Sequence, residues 1–316
     1  MVNHIVTGVA GFIGSHLAEA LLKQGAEVIG IDCFNDYYSP QLKYNNVVNL
    51  KQYPGFKLIK ANIQELDWQQ LLQSVDVVYH QAAQAGVRAS WGQDFHHYTE
   101  RNINATQAIL EGAKQVKSLK RIVYASSSSV YGDAITMPTP ETLCPQPVSP
   151  YAITKLAGER LCWLYLQNFG VPVTALRYFT VYGPRQRPDM AFHMFFKAAI
   201  AESAICIYGD GQQTRDYTYV SDAVAANLAA GKIPEAVGEV FNIGGGSRVT
   251  LMELLEIMER VIGDPIKKEY VDKAAGDARH TSADVTKAKK LLNYIPQVSL
   301  KEGLTQEWHW IKSLYK

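Results

Sequence analysis

Residues 2–32 read VNHIVTGVAGFIGSHLAEALLKQGAEVIGID. The run at 2–7 has strand character, although Asn3 and His4 weaken it. Gly8, Gly11 and Gly14 follow, spaced GxxGxxG. Ile13, Leu17, Ala20 and Leu21 then repeat at helical spacing across 13–24, and Gly25 is a natural stop. A second strand at 27–31 ends on Asp32. Strand, glycine turn, helix, strand and acid predict a dinucleotide-binding βαβ unit. The glycines, with Phe12 and Ile13 opening the helix, let phosphates approach unbonded N–H groups. Asp32 is placed to accept hydrogen bonds from an adenosine ribose. No arginine at 33 or 34 stands ready for a 2′-phosphate, so the expected cofactor is NAD rather than NADP. A tight strand–helix turn without ligand is the plain alternative.

Moving outward, β and α patterns alternate. A long polar and aromatic connection at 33–55 carries Tyr37, Tyr38, Tyr44 and Tyr53 and has room for some helix. A third strand at 56–61 leads to Asn62 and Ile63, where Asn62 is either an adenine-edge partner or a turn residue. A short helix at 66–73 and a strand at 75–80 precede Ala82 and Ala83, small enough for close passage of a cofactor. Arg88, after that strand's C-terminal end, is an anion ligand or a surface arginine. A helix is expected over 98–114, with Asn102 or Asn104 bonding internally.

Residues 121–155, RIVYASSSSVYGDAITMPTPETLCPQPVSPYAITK, carry the candidate chemistry. A strand at 122–125 delivers a serine run, and a helix at 151–168 opens with Tyr151 and Lys155. Four residues apart on a helix, the phenol and the ammonium share a face and can share one proton transfer. A strand at 173–178 continues the alternation, which breaks near 184. Beyond it come helices from about 191 and 221, strands at 205–208 and 240–243, a capped helix at 250–262 and amphipathic closing helices. The expected fold is α/β: a Rossmann-type doubly wound parallel sheet with a smaller mixed α/β substrate-binding lobe. Residues 1–180 are expected mainly to bind NAD and 181–316 mainly to form that lobe, with some segments returning to the first. Arg185, Arg187, Arg215 and Arg279 lie in its loops among aromatic residues and suggest a phosphorylated or nucleotide-bearing substrate.

The 316 residues suffice for a substantial core, and 47% hydrophobic with 19% charged content describes an ordinary globular protein. A formal net charge of +1 without a basic block gives no electrostatic case for nucleic acid or an anionic membrane. No signal peptide or transmembrane run is expected, and a cytoplasmic location is. Cys33, Cys144, Cys162 and Cys206 are scattered, which suits reduced thiols. His96 and His97 lack partners at metal spacing, so no metal is expected.

Taken together, Gly8, Gly11, Gly14, Asp32, Ala82, Ala83, Ser127, Tyr151, Lys155, Arg215 and Arg279 resemble the pattern of the extended short-chain dehydrogenase/reductase family over nearly the whole chain. SSSSVYG, SPYAITK, RYFTVYGPRQRPDMAF, GDGQQTRDYTYVSD and GDARHTSAD are similar to its nucleotide-sugar 4-epimerases. AAQAGVR, FNDYY and FTVYGPRQRPDMA most resemble the UDP-glucuronate 4-epimerase subgroup. The resemblance implies NAD-dependent, reversible conversion of UDP-glucuronate to UDP-galacturonate through a 4-keto sugar and transient NADH. It assigns Tyr151 as base, Lys155 as its electrostatic partner and Ser127 to the sugar O4. It gives Ser127, Ser128 and Thr180 to the C6 carboxylate, and Arg215 and Arg279 to the diphosphate. Arg185, Arg187 and Asp189 belong to a loop that meets uridine, phosphate or sugar. A homodimer is implied as well, through the helices at 98–114 and 151–168.

Two positions depart from the family pattern, the first bearing on substrate and the second on the adenine edge of NAD. Thr180 stands where UDP-galactose epimerases generally have Asn, and Asn62 where many members have Asp. Ser129 occupies the position at which UDP-glucuronate decarboxylases usually carry an acid. The alternatives are a UDP-glucose or UDP-N-acetylglucosamine 4-epimerase, a UDP-glucuronate decarboxylase and, outside enzymes, an NAD-binding sensor.

Overall fold

The computed structural model describes residues 3–272, 276 and 278–315. Val2 of the expected first strand and Asp277 of GDARHTSAD lie outside them. The first half runs β1 (Asn3–Thr7), α1 (Phe12–Lys23), β2 (Glu27–Asp32), α2 (Pro40–Val48), β3 (Phe56–Lys60), α3 (Trp68–Leu71), β4 (Val77–His80), α4 (Phe95–Tyr98), α5 (Ala105–Ala113), β5 (Arg121–Ser127), α6 (Pro150–Phe169) and β6 (Val173–Tyr178). The second runs β7 (Val181–Tyr182), α7 (Ala191–Ile200), β8 (Ile205–Tyr208), β9 (Thr214–Asp216), β10 (Thr218–Tyr219), α8 (Val220–Lys232), β11 (Val240–Ile243), β12 (Arg248–Thr250), α9 (Leu251–Ile262), β13 (Lys268–Val271), α10 (Thr286–Leu292) and α11 (Leu300–Tyr315).

Seven strands form one sheet in the order β11-β6-β5-β4-β1-β2-β3. Every neighbouring pair in it is parallel. Alternate side chains enter opposite cores. Val6, Val123 and Leu176 join α1, α8 and α10 through Leu17, Val224 and Ala288. Ile5, Ile122 and Ala175 join α5 and α6 through Ile109, Leu110 and Cys162. A further core of Tyr182, Phe192, Phe196, Leu254, Met258, Leu304 and Trp308 unites α7, α9 and α11. Around it lie the two-stranded sheets β10–β7, β12–β9 and β13–β8. The architecture is the doubly wound sheet with a mixed α/β lobe read from the sequence, and β11 returns from the second half to the sheet edge.

Strand order reverses between β1 and β4, which pair Thr7 with His80. Ligands of such sheets bind beyond the strand ends at this reversal. Local boundaries differ from the pattern in places. The fourth strand begins at Val77, because Val75 closes a 3-10 turn. The expected helix at 98–114 begins instead at Phe95 and passes through π-helical Thr99–Asn104 before α5. Thr250 and Glu253 form the reciprocal cap expected for α9. Among the described residues no helix is long and apolar enough to cross a membrane, and no cluster of three or more His, Cys, Asp or Glu could hold a metal ion.

Candidate active site

The turn after β1 is built for close approach. Gly8 has φ +67°, and a Cβ there would lie 2.8 Å from the Ala82 backbone nitrogen. A Cβ at Gly14 would collide with the Gly8 carbonyl oxygen. The bare turn and the start of α1 thus open on a cleft of about 1220 Å³, mouth included, whose lining also contains Phe12, Ile13, Asn62, Ile63, Ala82 and Ala83. Asp32 lines it too. Its Oδ1 accepts from the Phe34 N–H at 2.8 Å and its Oδ2 from the Ala10 N–H at 3.1 Å. Burial raises the Asp32 pKa, opposed by those two bonds and by Lys43. A Cβ-free phosphate cradle at a helix start, with an anchored carboxylate at the second strand's end, fits an NAD-type dinucleotide.

Tyr151 and Lys155 of α6 line the same cleft. Ser149 caps the helix by accepting from the Ala152 N–H, and Pro150 starts it. Asn102 accepts from Gln84 N–H and donates to Thr154 at 2.9 Å, which binds α6 to the segment after β4. Burial pushes the Tyr151 phenol up, while the Ser127 hydroxyl and the Arg187 guanidinium pull it down. Burial pushes Lys155 down to about 8. Its ammonium lies 4.7 Å from the Tyr124 ring centroid. The Ser127 hydroxyl oxygen accepts from Ser129 O–H at 2.8 Å, so Ser129 supports the serine that faces Tyr151. Beneath, Ser126 donates to Glu159, which pairs with Arg177 at 2.6 Å, all of it buried.

A second cavity of about 1170 Å³, mouth included, holds Arg88, Thr180, Arg215 and Arg279 together with Tyr208 and Phe192. Arg88 stacks 4.0 Å over the Tyr208 ring. Arg215 donates to the Arg279 carbonyl oxygen at 3.1 Å, and Arg279 pairs with Asp210 at 2.7 Å. Asp216 accepts from Gly245 and Ala283 N–H groups and so joins the surrounding loops. Guanidinium groups around an aromatic-lined hollow form a site for a polyanion bearing a flat ring.

The loop 183–190 does not act as one ligand group. Arg187 lines the first cleft and pairs with Asp189, which also accepts from Tyr37 O–H at 3.2 Å. Arg185, expected at the substrate, lines neither cavity and instead pairs with Glu19 of α1 at 2.6 Å. Ser128 opens a 3-10 turn after β5 and also lies outside both linings. Asn62 spends its amide on Glu65 at 2.7 Å, which leaves its carbonyl as an acceptor. The sequence reading missed Lys43, Gln81 and Tyr178 in the first cleft and Tyr208 in the second. Gln81 and Tyr178 stand at the C-terminal ends of β4 and β6, a positional signal that could have found them, whereas Lys43 and Tyr208 reach their cavities through tertiary packing.

The family model described as "NAD dependent epimerase/dehydratase family" matches residues 4–244. An uncharacterized UDP-glucose epimerase, YtcB, of Bacillus subtilis (strain 168) is 47% identical over 313 residues, covering 99% of this chain and 98% of that protein. The UDP-glucuronate 4-epimerase of Thermodesulfobacterium geofontis (strain OPF15) is 40% identical over 314 residues, 98% of this chain and 96% of that protein. The crystal structure of UDP-glucuronic acid 4-epimerase from Bacillus cereus, in complex with UDP-glucuronic acid and NAD, shares 45% identity at a TM-score of 0.96, covering 99% of this chain and 100% of that one. With the glycine cradle, the Tyr151–Lys155 face and near full-length similarity in agreement, the chain belongs to the NAD dependent epimerase/dehydratase family, among its nucleotide-sugar epimerases.

Proposed function

We propose that this protein interconverts UDP-glucuronate and UDP-galacturonate by inverting C4, with NAD as resident cofactor. The observation that carries the reading is one cleft lined by both the glycine turn and the Tyr151–Lys155 pair, beside an arginine-bearing cavity that includes Thr180. The first lining comes from residues below 180 except Arg187, and the second from residues above 180 except Arg88 and Thr180 itself. This supports assigning cofactor binding mainly to 1–180 and substrate binding mainly to 181–316.

NAD, when bound, supplies the acceptor for the C4 hydrogen and returns that hydrogen to the opposite face of the sugar. Tyr151 takes the O4 proton and later gives it back. Making a free phenolate at pH 7 costs about 4 kcal/mol, so the phenol needs positive neighbours. Lys155 and Arg187 provide them, and Ser127 donates to the sugar oxygen as charge develops there. Arg215, Arg279 and Arg88 hold the nucleotide diphosphate while the sugar turns over between half-reactions.

A 4-keto uronic acid is a β-keto acid and loses CO2 when its C5–C6 bond aligns with the carbonyl π system. Thr180, which lines the second cavity, and the serines at the end of β5, Ser127 and Ser128, which line neither, are the hydroxyl donors assigned to keep the carboxylate out of that alignment. Ser129, hydrogen-bonded to Ser127, places no acid there. Names among the relatives differ on neutral against acidic sugar, and Thr180 favours the acid because its hydroxyl donates without the bulk of an amide. Exposed Ile153, Trp163 and Leu164 on α6 support a homodimer, and scattered free cysteines suit the cytoplasm. Incubation with UDP-glucuronate and no added cofactor, followed by separation of products, tests the reading. UDP-galacturonate without CO2 release is expected. Turnover of UDP-glucose alone, or release of CO2, refutes it.

A further inference from the structure

The turn that carries Arg187 is held from two sides by residues outside both cavities. From α1, the neutral His16 ring donates through Nε2 to the Pro184 carbonyl oxygen at 2.8 Å, and Glu19 pairs with Arg185 at 2.6 Å. From α11, buried Glu307 accepts from the Gly183 N–H at 2.9 Å. The turn itself closes with Gln186 N–H donating to the Gly183 carbonyl at 3.1 Å. Arg185 sits at its centre with φ +67°, a left-handed conformation that costs a non-glycine residue about 1 kcal/mol or more. Its Nη1 is buried without a hydrogen-bond partner. Such a conformation persists only where the surroundings hold it.

The consequence of that geometry is directional. Gln186 lines the second cavity and Arg187 the first, so successive side chains diverge into two sites. Relaxing Arg185 to negative φ would rotate the following peptides and swing Arg187 away from Tyr151. We infer that Arg185 is a positioning residue: its ion pair with Glu19 ties the cofactor-binding helix α1 to the turn that sets Arg187 beside Tyr151. The pair is partly buried, with side chains 17% and 19% exposed, so its geometry is firmer than that of a surface pair. α1 also begins at the glycine cradle, and the tether therefore keeps cofactor helix and substrate loop in fixed relation.

The inference rests on the epimerase reading above, and its test separates the two. Against burial, the Ser127 hydroxyl of β5 and the Arg187 guanidinium of the loop pull the Tyr151 phenol down, and the other titratable groups around it are Tyr98, edge-on at 6.3 Å from α4, Tyr124 of β5, and Lys155, one turn along α6 and over the Tyr124 ring. Only Arg187 depends on the tether. Turnover of NAD-loaded wild type, Arg185→Gln, Glu19→Gln and Arg185→Lys is followed against pH with UDP-glucuronate. In both Gln variants kcat at neutral pH falls about tenfold, and its rise with pH moves up by about half a unit or more, as a cation withdraws from a phenol. Arg185→Lys restores both. The two Gln changes alter charge in opposite directions, so a shared shift excludes a direct long-range charge effect. A loss of folded protein lowers the whole profile without moving it. Amide exchange in 183–190, measured with and without NAD, quickens in both Gln variants. Unmoved profiles, or unchanged exchange, overturn the tether. Wild type that converts UDP-glucose but not UDP-glucuronate refutes the substrate reading alone, and the same comparison on UDP-glucose then decides the tether.

Discussion

Replacing Lys155 by Met should stabilise the NAD-free protein while abolishing most of its turnover. Lys155 is 3% exposed, and burial lowers its pKa from 10.5 to about 8. A displacement of that size corresponds to about 3 kcal/mol of penalty on the charged form. Loss of the ammonium's contact with the Tyr124 ring, 4.7 Å away, offsets about 1 kcal/mol. Met fills nearly the same volume, so a net gain of about 2 kcal/mol is expected at pH 7. The sign follows from proton counting. Below about pH 8 both folded and unfolded wild type hold the proton, and the full penalty is present. Between about 8 and 10.5 the unfolded chain keeps the proton and the folded chain releases it, so wild-type stability rises with pH. By pH 9.5 roughly 2 kcal/mol of the penalty is relieved, and the advantage of Lys155→Met should nearly vanish. Urea unfolding of NAD-stripped wild type and variant at the two pH values measures this. A variant less stable than wild type at pH 7, or a difference that does not shrink at pH 9.5, refutes the reasoning. Turnover should fall about 100-fold or more, since the phenolate loses the ammonium carried one helical turn along α6.

Three other perturbations probe the remaining parts. Tyr151→Phe should bind NAD and UDP nearly as well as wild type yet lose a factor of about 100 to 10,000 in kcat, and near-normal turnover would end its assignment as base. Gly8→Ala meets both a positive φ and the Ala82 backbone at 2.8 Å, so calorimetric NAD affinity should drop at least about tenfold. Thr180→Asn should lower the ratio of kcat/KM for UDP-glucuronate over UDP-glucose by about tenfold, and an unchanged ratio removes Thr180 from carboxylate selection.

The sequence alone determined whatever depends on neighbours along the chain. GxxGxxG between two strands requires a turn that only glycine tolerates, and the acid at Asp32 follows from the length of one helix. Tyr151 and Lys155 share a face because α6 advances 3.6 residues per turn. Ser149, Gly170 and the Thr250–Glu253 box mark helix ends by local hydrogen bonding. What only the tertiary structure decided is which distant loops share a cavity. Arg185 and Arg187 are two residues apart and look alike in the sequence, yet one pairs with Glu19 while the other reaches the Tyr151 cleft. Their separation depends on a left-handed φ and on contacts with α1 and α11, which no local pattern encodes. Lys43 and Tyr37 likewise reach the cleft through the fold of a long connection. Local stereochemistry wrote the cofactor cradle and the proton-transfer pair, whereas long-range packing chose which cations surround them.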